Sequence, residues 1–335
     1  MTVSCAVGDV EAQRVTLLAV QGVRNPRSVG VSRYATRLAS ALGAEQVDYR
    51  LAARGTHDRP IHYHLANSSR AFLAEAAVRR GGFAVTVHDV VPRTRALHPL
   101  YRGVVYPQLV RRAAGVVVHS AFAADLLLSV AGRRPVRLEV IAHPAHAPAE
   151  TDRDGARRAL GWPDNVLIAV LPGAIRRVKL VGEALAAVAG ARGWRLALAG
   201  RVADAGLAAR ARAAGALVLG DPSDADYDRA IVAADCVLCL RSGSVGETNG
   251  PLLDAVGARR AVLATPTGSI PEIAGGAALT CGGTVAEIRA GLALVERDDV
   301  RAELEHAAAR RAAELTWQTS AELHAALFRE VLDAL

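Results

Sequence analysis

Short apolar runs alternate with longer helical stretches along this chain, and the alternation runs through twice. The first series contains VTLLAV, the run around Val47–Leu51, IHYHL, FAVTVH, GVVVHS and RLEVIA, with helical patterns at 31–43, 68–79 and 120–130. The second contains VLIAVL, RLALAG, ALVLG, CVLCL and AVLAT, with helical patterns at 180–191, 204–213, 224–233 and 251–257. Apolar runs bounded by turn residues read as strands buried on both faces. Helical segments between them supply the crossovers that parallel strands require. From 143 to 165 the pattern lapses into HPAHAPAETDRDGARRALGWPDN, rich in Pro, Asp and Gly, which reads as a linker carrying a small helix.

A chain of 335 residues is too long for most single cores. The expectation is therefore an α/β protein with two Rossmann-like parallel-sheet domains facing a cleft, at 1–148 and 149–318, followed by a helix at 319–335. The tail from Val300 is helical in pattern and nearly free of glycine, and such a segment can cross back to brace the first domain. In open parallel sheets ligands lie beyond the carboxyl ends of the strands, so the loops after the strands are where chemistry belongs. No self-similarity at a solenoid period is present.

Composition narrows the function classes. With 51% hydrophobic but only 4% aromatic residues, the cores must be built from Ala, Val, Leu and Ile. The first twenty residues lack a basic segment followed by a sustained apolar run, and no stretch is long and apolar enough to span a bilayer. The expectation is a cytoplasmic protein. The net charge of +7 comes from arginines scattered along the chain without a basic tail or interleaved aromatics. That pattern fits solvated helix faces and argues against nucleic acid. It leaves room for a phosphate-bearing substrate and for peripheral association with an anionic membrane surface. Cys236 and Cys239 form a C-x-x-C, but inside the apolar run CVLCL. Three residues apart on a strand they point to opposite faces, so neither a metal nor a redox site is expected.

Of the 40 basic residues, Lys179 is the only lysine. A chain that has taken arginine at every other cationic position keeps one compact ammonium, which argues for a place where the broader guanidinium does not fit. Lys179 lies where a strand (VLIAVL), a Gly turn at Gly173 and a basic loop with Arg176 and Arg177 lead into a helix. A cation together with helix N-terminal amides makes an anion site.

Here the residues resemble a known family, the retaining glycosyltransferases of family four (glycosyltransferase group 1), which have the two-domain GT-B architecture. GAIRRVK is similar to the family's Gly-x-x-x-x-x-Lys loop, whose lysine holds the donor diphosphate. The arginine usual after the glycine is Ala174 here, and Arg176 or Arg177 are its candidate substitutes. The segment SVGETNGPLLDAVGA resembles the region carrying two donor-binding acids, which implies Glu247 for the sugar hydroxyls and Asp254 for the ribose. Their separation is one residue shorter than the family's. Thr248, Asn249, Gly250 and Pro251 belong to the same implied donor site, with Pro251 suited to a first helical turn. NPRSVGVSRYATRLASAL resembles the Gly-rich loop and first helix, which places Gly30 near the donor. HYHLANSS and VTVHDVVP resemble a subgroup that implies His88 beside the donor sugar and His64, Asn67 and Asp89 on the acceptor side.

The resemblance implies a catalytic set of His88, Lys179 and Glu247 and a donor of the nucleoside diphosphate-sugar class, with UDP first. The implied acceptor is a hydroxyl on a natural product, a lipid-linked intermediate or a glycan. With no acid placed as a nucleophile near His88, a front-face retaining route is expected, in which the leaving diphosphate accepts the acceptor's proton. No cofactor is expected beyond the donor itself. The D-x-D of Asp224 and Asp226 reads as the start of a helix rather than a metal site. A nucleotide-sugar epimerase or hydrolase of the same architecture and a non-catalytic nucleotide-sugar-binding protein remain as alternatives. A dehydrogenase is disfavoured because no G-x-G-x-x-G follows the first strand.

Overall fold

The computed structural model of the chain describes residues 16–19, 29–44, 46–48, 61–65, 83–93, 95–202 and 204–333. Asn67, the 68–79 stretch and the loop that leads to Gly30 lie outside these residues. The chain divides into two compact units, one of residues 1–119, 124–141 and 317–335, the other of residues 120–123 and 142–316.

The first unit contains β1 (Thr16–Ala19), α1 (Val29–Leu42), β2 (Gln46–Asp48), β3 (Ile61–Leu65), β4 (Phe83–Val87), α2 (Tyr106–Arg112), β5 (Gly115–Val118), α3 (Ala121–Ala131) and β6 (Leu138–Val140). Its strands form one sheet in the order β2-β1-β3-β4-β5-β6, every pairing parallel. FAVTV and GVVV are buried along their whole lengths, as strands covered on both faces must be. The last helix of the chain, Trp317–Asp333, packs in this unit against α1, where Tyr34, Leu38 and Ala39 meet Ala321 and Trp317.

The second unit opens with α4 (Arg153–Leu160) and continues through β7 (Leu167–Pro172), α5 (Val181–Ala189), β8 (Trp194–Ala199), α6 (Ala205–Ala213), β9 (Leu217–Val218), α7 (Asp224–Val232), β10 (Cys236–Cys239), α8 (Gly250–Gly257), β11 (Val262–Ala264), α9 (Ile270–Ala274), β12 (Leu279–Thr280), α10 (Val285–Val295) and α11 (Asp298–Glu314). Trp317–Asp333 is α12. The strand order is β12-β11-β10-β7-β8-β9, again wholly parallel. Side chains alternate across the sheet. Ile168 and Val170 enter one core layer and Ala169 and Leu171 the other. Cys236 and Cys239 likewise fall into opposite layers as free, buried thiols.

The stretch 143–165, read from its composition as a linker, belongs to the second unit. It does carry the small helix α4, capped by Asp152 and ended by left-handed Gly161. Ala145, Ala156 and Trp162 nevertheless pack into the second unit's core, because even a Pro- and Asp-rich segment is held where its few apolar residues find a layer.

Chain order in the second sheet reverses between β7 and β10. That places the carboxyl ends of these two neighbours at a topological switch point, where the loops diverge and leave a crevice. The loops that leave there are 173–180 and 240–249.

Candidate active site

Gly173 follows β7 with a φ of +76°, a backbone state suited to glycine. A Cβ there would lie 2.9 Å from Nζ of Lys179 and 3.4 Å from Cγ of Pro251. The glycine therefore makes room for the ammonium and brings the start of α8 against the same loop. Gly200 holds the turn from behind, since a Cβ there would stand 2.2 Å from the Gly173 carbonyl oxygen. The loop is fixed further by Gly173 N to Ala199 O at 2.8 Å and Ile175 N to Arg201 O at 3.0 Å.

Lys179 closes a short 3-10 turn (Arg177–Lys179) just before α5. The next residue, Leu180, takes a left-handed conformation with φ +52°. For a side chain of that kind this costs about 1–3 kcal/mol and persists only where surrounding structure enforces it. The half-buried Lys179 ammonium donates to the carbonyl of Pro172. Burial, with the Arg241 guanidinium as the next cause, pushes its pKa down to about 7. Arg176 and Arg177 are exposed on the same loop.

Arg241 is the site residue that sequence reading missed. It lies two residues past the end of β10 and is mostly buried, and its guanidinium donates to Glu247 Oε1 at 2.5 Å. Its backbone is clamped by Thr265 and Thr267, whose hydroxyls donate to the Arg241 carbonyl at 3.0 and 3.1 Å. The signal was in the sequence: a cation at the carboxyl end of a buried strand, immediately after CVLCL.

Glu247 is 7% exposed, and both its oxygens are engaged. Oε2 accepts from the Ser244 hydroxyl at 2.8 Å and the Val245 amide at 2.7 Å. Burial works to raise its pKa, but Arg241, the Val245 amide and Ser244 outweigh that and hold it below the usual carboxylate range. The first partners of this acid are thus an arginine and its own loop, a role the sequence did not suggest.

Asn249 caps α8 by accepting from the Leu252 amide at 3.3 Å, with Gly250 and Pro251 in the first turn and Thr248 half-buried before it. A Cβ at Gly250 would meet nothing within 4 Å. Asp254, one turn into α8, accepts from the Tyr227 hydroxyl at 2.8 Å. The second unit therefore gathers Gly173, Lys179, Arg241 and the start of α8 at its switch point. Asp226, from the D-x-D, is engaged instead at the start of α7 by Ser223 and Arg229.

The first unit assembles a different centre. His64 points from β3, while His88 and His119 follow β4 and β5, and all three are buried. His64 Nδ1 lies 3.1 Å from His88 Nε2, and His88 Nδ1 lies 3.3 Å from His119 Nε2. Tyr34 of α1 sets its ring edgewise to all three, at centroid distances of 5.6, 5.0 and 4.9 Å. His62 lies beside His64, and His324 of α12 lies within reach of the Tyr34 hydroxyl. Burial, reinforced by neighbouring imidazoles, holds His62 and His64 well below the ordinary histidine range, and burial pushes His324 down to about 4. Asp89 pairs with Arg93 at 3.1 Å. Gly30 sits exposed in the first turn of α1, and a Cβ there would meet none of the described residues within 4 Å.

Solved structures share this fold over nearly the whole chain. A sucrose-phosphate synthase from Thermosynechococcus elongatus is 15% identical with a TM-score of 0.78, the match covering 96% of this chain and 100% of that one. A glycosyltransferase from Rickettsia africae gives 13% and 0.74, covering 96% and 99%. HepE from Anabaena, solved with UDP and glucose, gives 14% and 0.74, covering 96% and 100%. The chain has the GT-B fold. No protein-family model matches the sequence, and no curated protein matches it either. At these identities the GT-B likeness is one of architecture, and function rests on the site. Among the described residues of this GT-B chain, no helix is long and apolar enough to cross a membrane.

Proposed function

We propose that the chain is a glycosyltransferase that moves a sugar from a nucleoside diphosphate donor to an acceptor hydroxyl with retention of anomeric configuration. The observation that carries this reading is the convergence of Lys179, Arg241 and the start of α8 around Gly173, at the switch point of the second sheet. Two cations, one on each of the loops that leave the switch point, with a helix start beside them, suit a diphosphate. UDP is favoured as the nucleotide, because HepE was solved with UDP and with UDP-glucose.

In the proposed reaction Lys179 and Arg241 stabilise the charge that grows on the departing diphosphate. Glu247 keeps Arg241 in place and lends its remaining acceptor capacity to donor hydroxyls. The leaving diphosphate takes the acceptor's proton, and Lys179 and Arg241 supply the charge stabilisation that a metal would otherwise provide. Calorimetry with a panel of nucleoside diphosphate sugars, then mass spectrometry and anomeric proton NMR of the products, tests the reading. A transferred sugar with donor configuration kept, formed in EDTA, is the expected result. Free sugar formed equally without acceptor, or an absolute need for metal, overturns it.

A further inference from the structure

The first unit's imidazoles carry a hydrogen-bond polarity that can be derived atom by atom. His119 Nδ1 lies 2.9 Å from the backbone oxygen of Ile141. A carbonyl only accepts, so Nδ1 of His119 bears a proton. In a neutral ring the other nitrogen, Nε2, is then an acceptor, and the partner at 3.3 Å, His88 Nδ1, must donate to it. His88 Nε2 is consequently bare and accepts from His64 Nδ1 at 3.1 Å. The chain ends on His64 Nε2, which has no hydrogen-bond partner among the described residues and belongs to a side chain with no exposed surface.

We propose that His119, His88 and His64 form an imidazole chain of fixed polarity, in which His119 is the positioning residue that holds His88 as its neutral, Nδ1-protonated tautomer and so keeps it from serving as a general base. Both ring nitrogens of His88 are spent inside the protein. Its main chain is tied as well, with His88 N donating to Leu65 O at 3.0 Å. The polarity can reverse only as a unit. A proton added at His64 Nε2 sends the Nδ1 proton of His64 to His88 Nε2 and that of His88 to His119 Nε2. The charge then rests on His119 against the Ile141 carbonyl. Burial among aromatic rings opposes that state. Under the proposed transfer reaction, on which this consequence rests, the acceptor's proton does not go to His88.

The test reads ring nitrogens directly. Protein labelled with ¹⁵N in histidine is examined by NMR near pH 7.5 without nucleotide, His88 being assigned from a His88→Asn sample. The expected spectrum shows His88 with Nδ1 protonated and Nε2 bare. His119→Gln, whose amide can donate to Ile141 O and accept from His88, keeps that tautomer. His119→Leu, which can do neither, shifts His88 toward the Nε2-protonated form. An imidazolium or an Nε2-protonated His88 in the unmodified protein overturns the proposal, as does a His119→Leu protein with His88 unchanged. If the leucine variant does not fold, the unmodified and glutamine spectra still decide. A protein that shows the expected tautomer but binds no nucleotide sinks the transferase reading and leaves the chain intact.

Discussion

The two units put their polar residues to opposite uses at the same place, the carboxyl ends of parallel strands. In the first, His64, His88 and His119 are buried with Tyr34 and bonded to one another. In the second, Lys179, Arg241 and Glu247 bring formal charge to the switch point, with the Lys179 pKa pushed down to about 7. A parallel sheet offers both kinds of site because its strand ends leave side chains half inside the core and half at a loop. Coverage then decides the chemistry. Burial lowers the pKa of His62, His64 and His324 in the first unit, whereas Gly173 in the second leaves room for the Lys179 ammonium beside the start of α8.

The largest expected effect breaks the neutral centre. His324 is held near 4 against an ordinary 6.5, and His62 and His64 are lowered as well. Below about pH 6.5 the unfolded chain binds protons at these rings that the folded unit does not. Their contribution is therefore complete above that pH and is lost as the pH falls toward 4, by about 3 kcal/mol for His324 alone. Hydrogen exchange of the β3 and α12 amides, taken relative to the intrinsic amide rate at each pH, should accelerate between pH 6.5 and 5, while the β7 and β10 amides respond much less. Equal acceleration in both units contradicts the contrast.

Next comes Lys179→Ala, expected to lower turnover by on the order of a hundredfold, the scale of losing an oxyanion stabiliser. Lys179→Arg should be impaired too, because the ammonium fits against Gly173 where a guanidinium is broader. Steady-state rates with a saturating acceptor decide it, and full activity of the arginine variant removes the argument from the single lysine. Glu247→Ala strips Arg241 of its carboxylate and should weaken UDP binding by roughly 1.5–3 kcal/mol. His88→Ala, whose ring faces inward to His64 and His119, should leave UDP affinity unchanged, and titration calorimetry on the pair checks both. The smallest effect is a pH slope. Lys179 must be charged to hold a diphosphate, so UDP affinity should fall above pH 7, by up to about tenfold per unit, with proton uptake visible in buffers of different ionisation enthalpy.

Both sheets were legible because buried parallel strands write themselves as apolar runs, and FAVTV and LIAVLP did so plainly. The Lys179 loop was legible because a glycine, a lone lysine and a helix start follow one another within a few residues. Arg241 and His119 were passed over for a physical reason. His119 matters through Ile141, a partner 22 residues on that local pattern does not pair with it, and Arg241, a cation just after a buried strand, gains its meaning only beside Lys179 and Glu247. The small helix in the 143–165 stretch was legible from composition, but the packing of Ala145, Ala156 and Trp162 into the second unit's core needed coordinates. Glu247 was singled out by its place in SVGETNG, yet its engagement with Arg241 and Val245 needed coordinates.

The central claim is that the second unit's charged switch-point loop holds a diphosphate. The most direct measurement compares the affinities of UDP, UMP and uridine by calorimetry, for the unmodified protein and for Lys179→Ala. The account predicts UDP at least about tenfold tighter than UMP, one charge-assisted contact being worth that much, with the gap largely closed in the variant. UDP and UMP binding equally well, or a gap that survives loss of Lys179, would contradict it.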